Sequence, residues 1–128
     1  MLTRVTTITV VVKDQKEALE WYTEKLGFVK RMDAPMGRDA RWITVAPPEQ
    51  EDLQITLAHW KWYGTKSKNQ VGKGTTVVVQ STDCKKDYKQ MKAKGVKFTD
   101  APSDQPWGVS AVFLDLYGNP YNLLQPKT

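Results

Sequence analysis

Hydrophobic and polar positions follow two rhythms along this chain, and the same succession of rhythms occurs twice. Val5 to Val12 is a run of Val, Thr and Ile, which predicts a strand. Asp14 then opens a helix, with Glu17 three residues on as its capping-box partner. Ala18, Leu19, Tyr22 and Leu26 recur at helical spacing with Trp21 beside them, and Gly27 supplies a left-handed stop. Phe28 to Met32 predicts a second strand. The segment DAPMGRD (33–39) predicts a turn, and Arg41 to Ala46 a third strand. After the polar loop PPEQED (47–52), Leu53, Ile55 and Leu57 alternate with Gln54, Thr56 and Ala58. That is a fourth strand with one apolar and one more polar face.

A connection of different character follows, HWKWYGTKSKNQVGKG (59–74), aromatic at its start and rich in Gly and Lys later. The second half then restarts. TTVVVQSTD echoes TTITVVVKD, so that Thr75-Thr76 matches Thr6-Thr7 and Asp83 matches Asp14. The helix after Asp83 carries Cys84, Tyr88 and Met91 on one face and ends at Gly95, the counterpart of Gly27. Val96 to Thr99 predicts a strand and DAPSDQPWG (100–108) a loop. Val109 to Leu114 and Tyr121 to Leu124 are the closing strands, joined by the tight turn DLYGNP. The pattern is an α+β chain of two βαβββ modules in a single domain, 1–128. The internal repeat covers 5–58 and 74–125, and the linker covers 59–73. Two copies of a half-sheet imply a pseudo-symmetric pair with a groove where the sheets meet.

Composition narrows the possibilities. A chain of 128 residues, 40% hydrophobic, suits one domain with a real core. No apolar run approaches the roughly 18 residues of a membrane span, and the N-terminus reads as a strand in place of a signal peptide. Cys84 is the only cysteine, so no intrachain disulfide forms and a reducing, cytoplasmic setting is expected. The net charge is +5, and ten lysines fall between residues 59 and 98 with no arginine among them. Six of those lysines belong to the second helix and its exit, where they make an ordinary solvated face. Arginine is the usual reader of base edges, so nucleic acid is not the expected partner. His59, Trp60, Trp62 and Tyr63 crowd the start of the linker. They either cover a cavity or a partner subunit, or anchor the linker to the core. His59 has no second histidine with which to hold a metal.

Several motifs point one way together: Asp14 with WYTEKLGF (21–28), PWG (106–108) and FLDLYGNPYNLLQ (113–125). With the doubled pattern, they resemble the vicinal oxygen chelate superfamily of glyoxalase I, extradiol dioxygenases and bleomycin-resistance proteins. The resemblance covers nearly the whole chain. It implies paired βαβββ modules forming a cupped mixed sheet around a cavity, and a homodimer whose pockets combine modules of both chains. In the family's metal enzymes, ligands lie on the cavity-facing strands. The resemblance puts those positions at Thr7, Thr76, Asn122 and either Gln54 or Thr56. None is an imidazole or a carboxylate, so no metal and no other cofactor is expected, and metal-dependent glyoxalase or dioxygenase activity is not expected either.

The resemblance and the aromatic supply together suggest a metal-independent protein that binds a small planar or aromatic organic molecule. Trp107, Trp42, Trp60, Trp62 and Tyr63 are the expected wall residues. Thr7, Gln54, Thr56, Thr76 and Asn122 are candidate polar contacts, or else packed polar side chains that satisfy one another. No catalytic residue stands out. Two alternatives remain open, a metal-free lyase- or isomerase-like enzyme using His59, Tyr63 or Tyr121, and a ligand-sensing accessory module of a regulator. A cationic ligand would need a locally acidic pocket built from Asp33, Asp39, Glu49, Glu51, Asp52, Asp100 or Asp104, which the sequence does not place.

Overall fold

A computed structural model describes residues 1–37, 40–63, 69–74 and 76–127, with the backbone alone at Tyr63. Asp39 and Thr75 therefore lie outside the described residues, as does the Tyr63 side chain. The chain folds into two compact units, Met1–Val71 and Gly72–Thr128. No described helix is long and apolar enough to cross a membrane.

The first unit runs β1 (Thr7–Val12), α1 (Gln15–Leu26), β2 (Val29–Pro35), β3 (Arg41–Ala46) and β4 (Gln54–His59), then a short 3-10 turn at Trp60–Tyr63. Its sheet has the order β1-β4-β3-β2. The β1–β4 pair is parallel and the others are antiparallel. The second unit repeats this as β5 (Val77–Gln80), α2 (Cys84–Ala93), β6 (Lys97–Gln105), β7 (Gly108–Leu114) and β8 (Pro120–Pro126). Its order is β5-β8-β7-β6, and β5–β8 is the parallel pair.

The helices form where the sequence caps them. Asp14 accepts from the Glu17 backbone N–H at 2.9 Å, and Asp83 does the same for Lys86 at 3.1 Å. Gly27 closes α1 at φ 70°, a conformation that costs a side-chain-bearing residue about 1 kcal/mol or more. Each helix is also tied to the last strand of its own unit, the one that pairs with the first. Gln15 Nε2 donates to the Leu57 carbonyl at 2.8 Å, and Cys84 Sγ lies 3.7 Å from the matching Leu123 carbonyl. α1 packs on β2, β3 and β4, and α2 on β6, β7 and β8.

Strand alternation then sorts the side chains. In the first unit Val10, Val12, Ile43, Val45, Ile55 and Leu57 are buried with Ala18 and Tyr22 of α1. In the second, Ala111, Phe113, Tyr121 and Leu123 are buried with Cys84 and Val96. A relay of rings runs through this core, from Tyr88 to Phe98 to Phe113 to Tyr121, at centroid spacings of 4.6, 5.6 and 5.2 Å.

Strand extends into two segments read as turn and loop. Asp33-Ala34-Pro35 completes β2, and Asp100 to Gln105 forms most of β6. Both are edge strands, so one side of the backbone needs no partner and proline is tolerated. Each has its register shift at the same place, between Lys30 and Met32 in β2 and between Phe98 and Asp100 in β6, which shows the repeat at the level of the bulge. The strands at residues 5–12 and 75 onward begin later than the composition indicates, at Thr7 and Val77.

The DLYGNP turn is organised by a buried carboxylate. Asp115 Oδ1 accepts from the Tyr117 and Asn119 backbone N–H groups at 2.8 and 2.9 Å, and Oδ2 accepts from Asn119 Nδ2 at 2.8 Å. Asn119 Oδ1 in turn accepts from the Gly74 N–H at 3.1 Å, fixing the entry to β5. Gly108 of the PWG motif has a different constraint. At φ 145° a Cβ there would sit 2.1 Å from the Gln125 carbonyl oxygen. Removing the Asp115 carboxylate leaves several buried donors unsatisfied. Asp115→Ala is expected to cost about 3 kcal/mol in urea unfolding with an unchanged m-value. A loss under about 0.5 kcal/mol would mean that the turn holds itself without that carboxylate.

Candidate functional site

Because each helix covers one face of its sheet, the other face carries what the helix does not need. The register assigns that face in the first unit to Thr7, Thr9, Gln54, Thr56, Trp42, Thr44, Met32 and Ala34. Thr44 and Thr56 are fully buried. Thr44 Oγ1 donates to Gln54 Oε1 at 2.6 Å, whereas the buried Thr56 Oγ1 has no hydrogen-bond partner. An unsatisfied buried hydroxyl costs about 1–3 kcal/mol. Trp62 comes from the 3-10 turn and stacks on Trp42, with centroids 6.2 Å apart and planes 13° apart. Of the predicted residues, the structure thus brings Thr7, Gln54, Thr56 and Trp42 onto one face, with Trp62 stacked over it.

Trp60 and His59 form a separate pair, stacked at 5.7 Å, and Lys61 Nζ lies 5.6 Å from the Trp60 ring. His59 Nδ1 accepts from the Lys61 backbone N–H at 3.1 Å. That nitrogen is committed to the turn, and only Nε2 remains for other chemistry. Pairing also resolves which fourth-strand residue matches Asn122. Asn122 pairs with Val78 and Val112, as Thr56 pairs with Thr9 and Thr44. Thr56 is therefore the counterpart of Asn122.

In the second unit Asn122 Nδ2 donates to Ser110 Oγ and to the Ala111 carbonyl, both at 2.8 Å. Thr76 is exposed and lies just ahead of β5. Trp107 forms the tip between β6 and β7 and remains 60% exposed. It borders a recess of about 590 Å³ with Thr99, Asp100, Ser103, Gln105 and Ser110. Asp100 is the member that sequence reasoning could not place. The bulge in β6 puts it opposite Val112 and so on the same face as Asn122. Of the other acids, Asp33 is held by Arg41 at 2.6 Å, and Asp104 faces Lys85 at 3.9 Å. The hydrogen bond and charge of Arg41 pull the Asp33 carboxyl below the usual range.

Divalent metal sites need about three ligands from His, Cys, Asp and Glu, or a cage of oxygens. Among the described residues no group of three or more His, Cys, Asp or Glu side chains could hold a metal ion. Thr7, Gln54, Thr56, Thr76 and Asn122 are all neutral, so they do not fit Zn²⁺, Ni²⁺ or Fe²⁺.

Two βαβββ units, each a mixed four-stranded sheet with a helix on one face, define a protein of the vicinal oxygen chelate class. Residues 4–123 match the Glyoxalase/Bleomycin resistance protein/Dioxygenase superfamily, and the chain belongs to that superfamily. The Bacillus subtilis (strain 168) protein YurT is 36% identical, over 95% of this chain and 98% of its own. A superfamily member from Sphaerobacter thermophilus DSM 20745 superposes with a TM-score of 0.85 at 31% identity, covering 97% of this chain and 98% of that one. TnmS3, an antibiotic binding protein from Streptomyces sp. CB03234, has a TM-score of 0.80 at 30% identity, covering 98% of each chain.

Cys84 is buried, and its thiol pKa is raised by burial first and then by Asp87 and Asp83, against a smaller opposing effect of Lys85. Burial and the two carboxylates thus both oppose the thiolate, the reactive form. Native protein at about pH 8 is expected to resist a thiol-specific disulfide reagent and to react at once when unfolded. Because the folded pKa is the higher one, the unfolded chain releases this proton first. Stability should fall as pH rises above about 8.5. Rapid labelling of the native protein would contradict the buried assignment.

Proposed function

We propose that this protein binds a small planar organic molecule without a metal. One observation carries the reading. The sheet face left open by α1 combines the stacked Trp42–Trp62 pair with a buried Thr56 hydroxyl that lacks a partner. Flat rings bind flat ligands by dispersion and quadrupole contacts, and a few placed polar groups fix their orientation. The neutral residues at the family's metal positions support the metal-free part of the reading. They provide hydrogen bonds in place of a Lewis acid. The likeness to TnmS3, an antibiotic binding protein, supports a binding role over a catalytic one. The commitment of His59 Nδ1 to the linker turn weakens the case for a histidine base.

A thermal-shift screen of planar organic compounds, read in parallel by Trp fluorescence, tests this. The expected result is at least one compound that raises the melting temperature and quenches saturably, with the same affinity after chelator treatment. Trp42→Ala and Trp62→Ala should each weaken that compound by roughly three- to tenfold, the worth of one aromatic contact. A screen without hits, or binding abolished by chelator, would overturn the proposal.

A further inference from the structure

The recess beside Trp107 is the second unit's own, and its chemistry differs from that of the Trp42–Trp62 face. Its lining holds one ionisable group, the Asp100 carboxylate, among Thr99, Ser103, Gln105 and Ser110. Asp100 is exposed, and among the described residues no cation lies within ion-pair distance of it. The nearby acid Asp104 faces Lys85, whereas the residues that line the recess with Asp100 are all neutral. Two of those neutral groups are already turned to one another, since Gln105 Nε2 donates to Ser103 Oγ at 2.9 Å. Ser110 Oγ accepts from Asn122, which leaves its own proton to donate. The backbone at Trp107 is fixed, since its carbonyl accepts from the Lys127 N–H at 3.0 Å, and its indole is exposed at the rim. The wall therefore offers an exposed flat ring, a carboxylate without a cation, and a hydroxyl donor.

We infer that this recess takes a planar organic cation, its ring against Trp107 and its positive charge against Asp100. The inference rests on the binding reading above and adds to it the charge of the ligand. A ring face attracts cations as well as flat apolar surface, so Trp107 and Asp100 favour the same ligand. The positive charge elsewhere on the chain disfavours cations at the general surface, which sharpens selection for this recess.

The test uses three fused tricyclic probes of similar area and different charge at neutral pH. They are 9-aminoacridine (cation), acridine (neutral) and anthracene-9-carboxylate (anion). Fluorescence titration of the full chain is expected to rank them in that order, with the cation preferred over the neutral probe by roughly fivefold. Asp100→Asn should bring the cation to the affinity of the neutral probe while leaving the melting temperature unchanged. Trp107→Ala should weaken the cation and the neutral probe alike. Equal affinity for the three probes, preference for the anion, or a cation indifferent to Asp100→Asn would overturn the inference. A neutral or anionic hit in the broader screen, lost in Trp42→Ala, would leave the binding reading intact while this one fell.

Discussion

The parallel pairing of each unit's first strand with its last sets everything else in place. A parallel pair cannot be closed by a tight turn. Here the chain crosses through a helix and then fills the rest of the sheet with two antiparallel strands before it returns beside its start. The helix must lie on one face, and it takes the apolar half of every strand with it. Gln15 reaching Leu57, and Cys84 approaching Leu123, tie the first residue of each helix to the strand that completes the crossover. The helix-free face follows as a consequence, and the residues with chemistry to offer are on it.

The two units use that free face differently. Where the first has Trp42 and Met32, the equivalent pairing positions of the second hold Ser110 and Asp100. Where the first leaves Thr56 without a partner, the second has Asn122 donating to Ser110 and to a carbonyl. The duplication preserved the bulges, caps and crossovers, which set the backbone, and let the open faces diverge into an aromatic one and an acidic one. The capping aspartates Asp14 and Asp83 and the edge-strand bulges are alike in both halves, and the residues of the open faces are not.

The chain's own residues made the caps and the repeat legible because those depend on local chemistry. Asp14, Asp83 and Gly27 act within a few residues of themselves. What was hidden depends on pairing across the sheet. Pro35 and Pro102 looked like loop residues because proline opposes a strand interior, but not an edge whose outer side has no partner. Gln54 and Thr56 could not be ranked without the register that sets Thr56 beside Thr44 and Thr9. Asp100 could not be assigned to a face because a single bulge residue reverses the alternation. Asp115 and Asn119 carried the motif that suggested the family. Their described hydrogen bonds hold a turn, so the motif reports the fold and not the chemistry.

The bulged, proline-bearing edges bear on how the protein behaves at high concentration. An unpaired strand edge is a template on which another chain can add a strand. β2 and β6 each break their register in mid-strand, carry a proline, and are studded with Lys30, Arg31 and Asp33 or Lys97, Asp100 and Asp104. A strand arriving from another molecule would meet an interrupted ladder, a missing donor and repelling or solvated charge. The irregularity that positions Asp100 therefore also guards this edge against sheet-to-sheet aggregation.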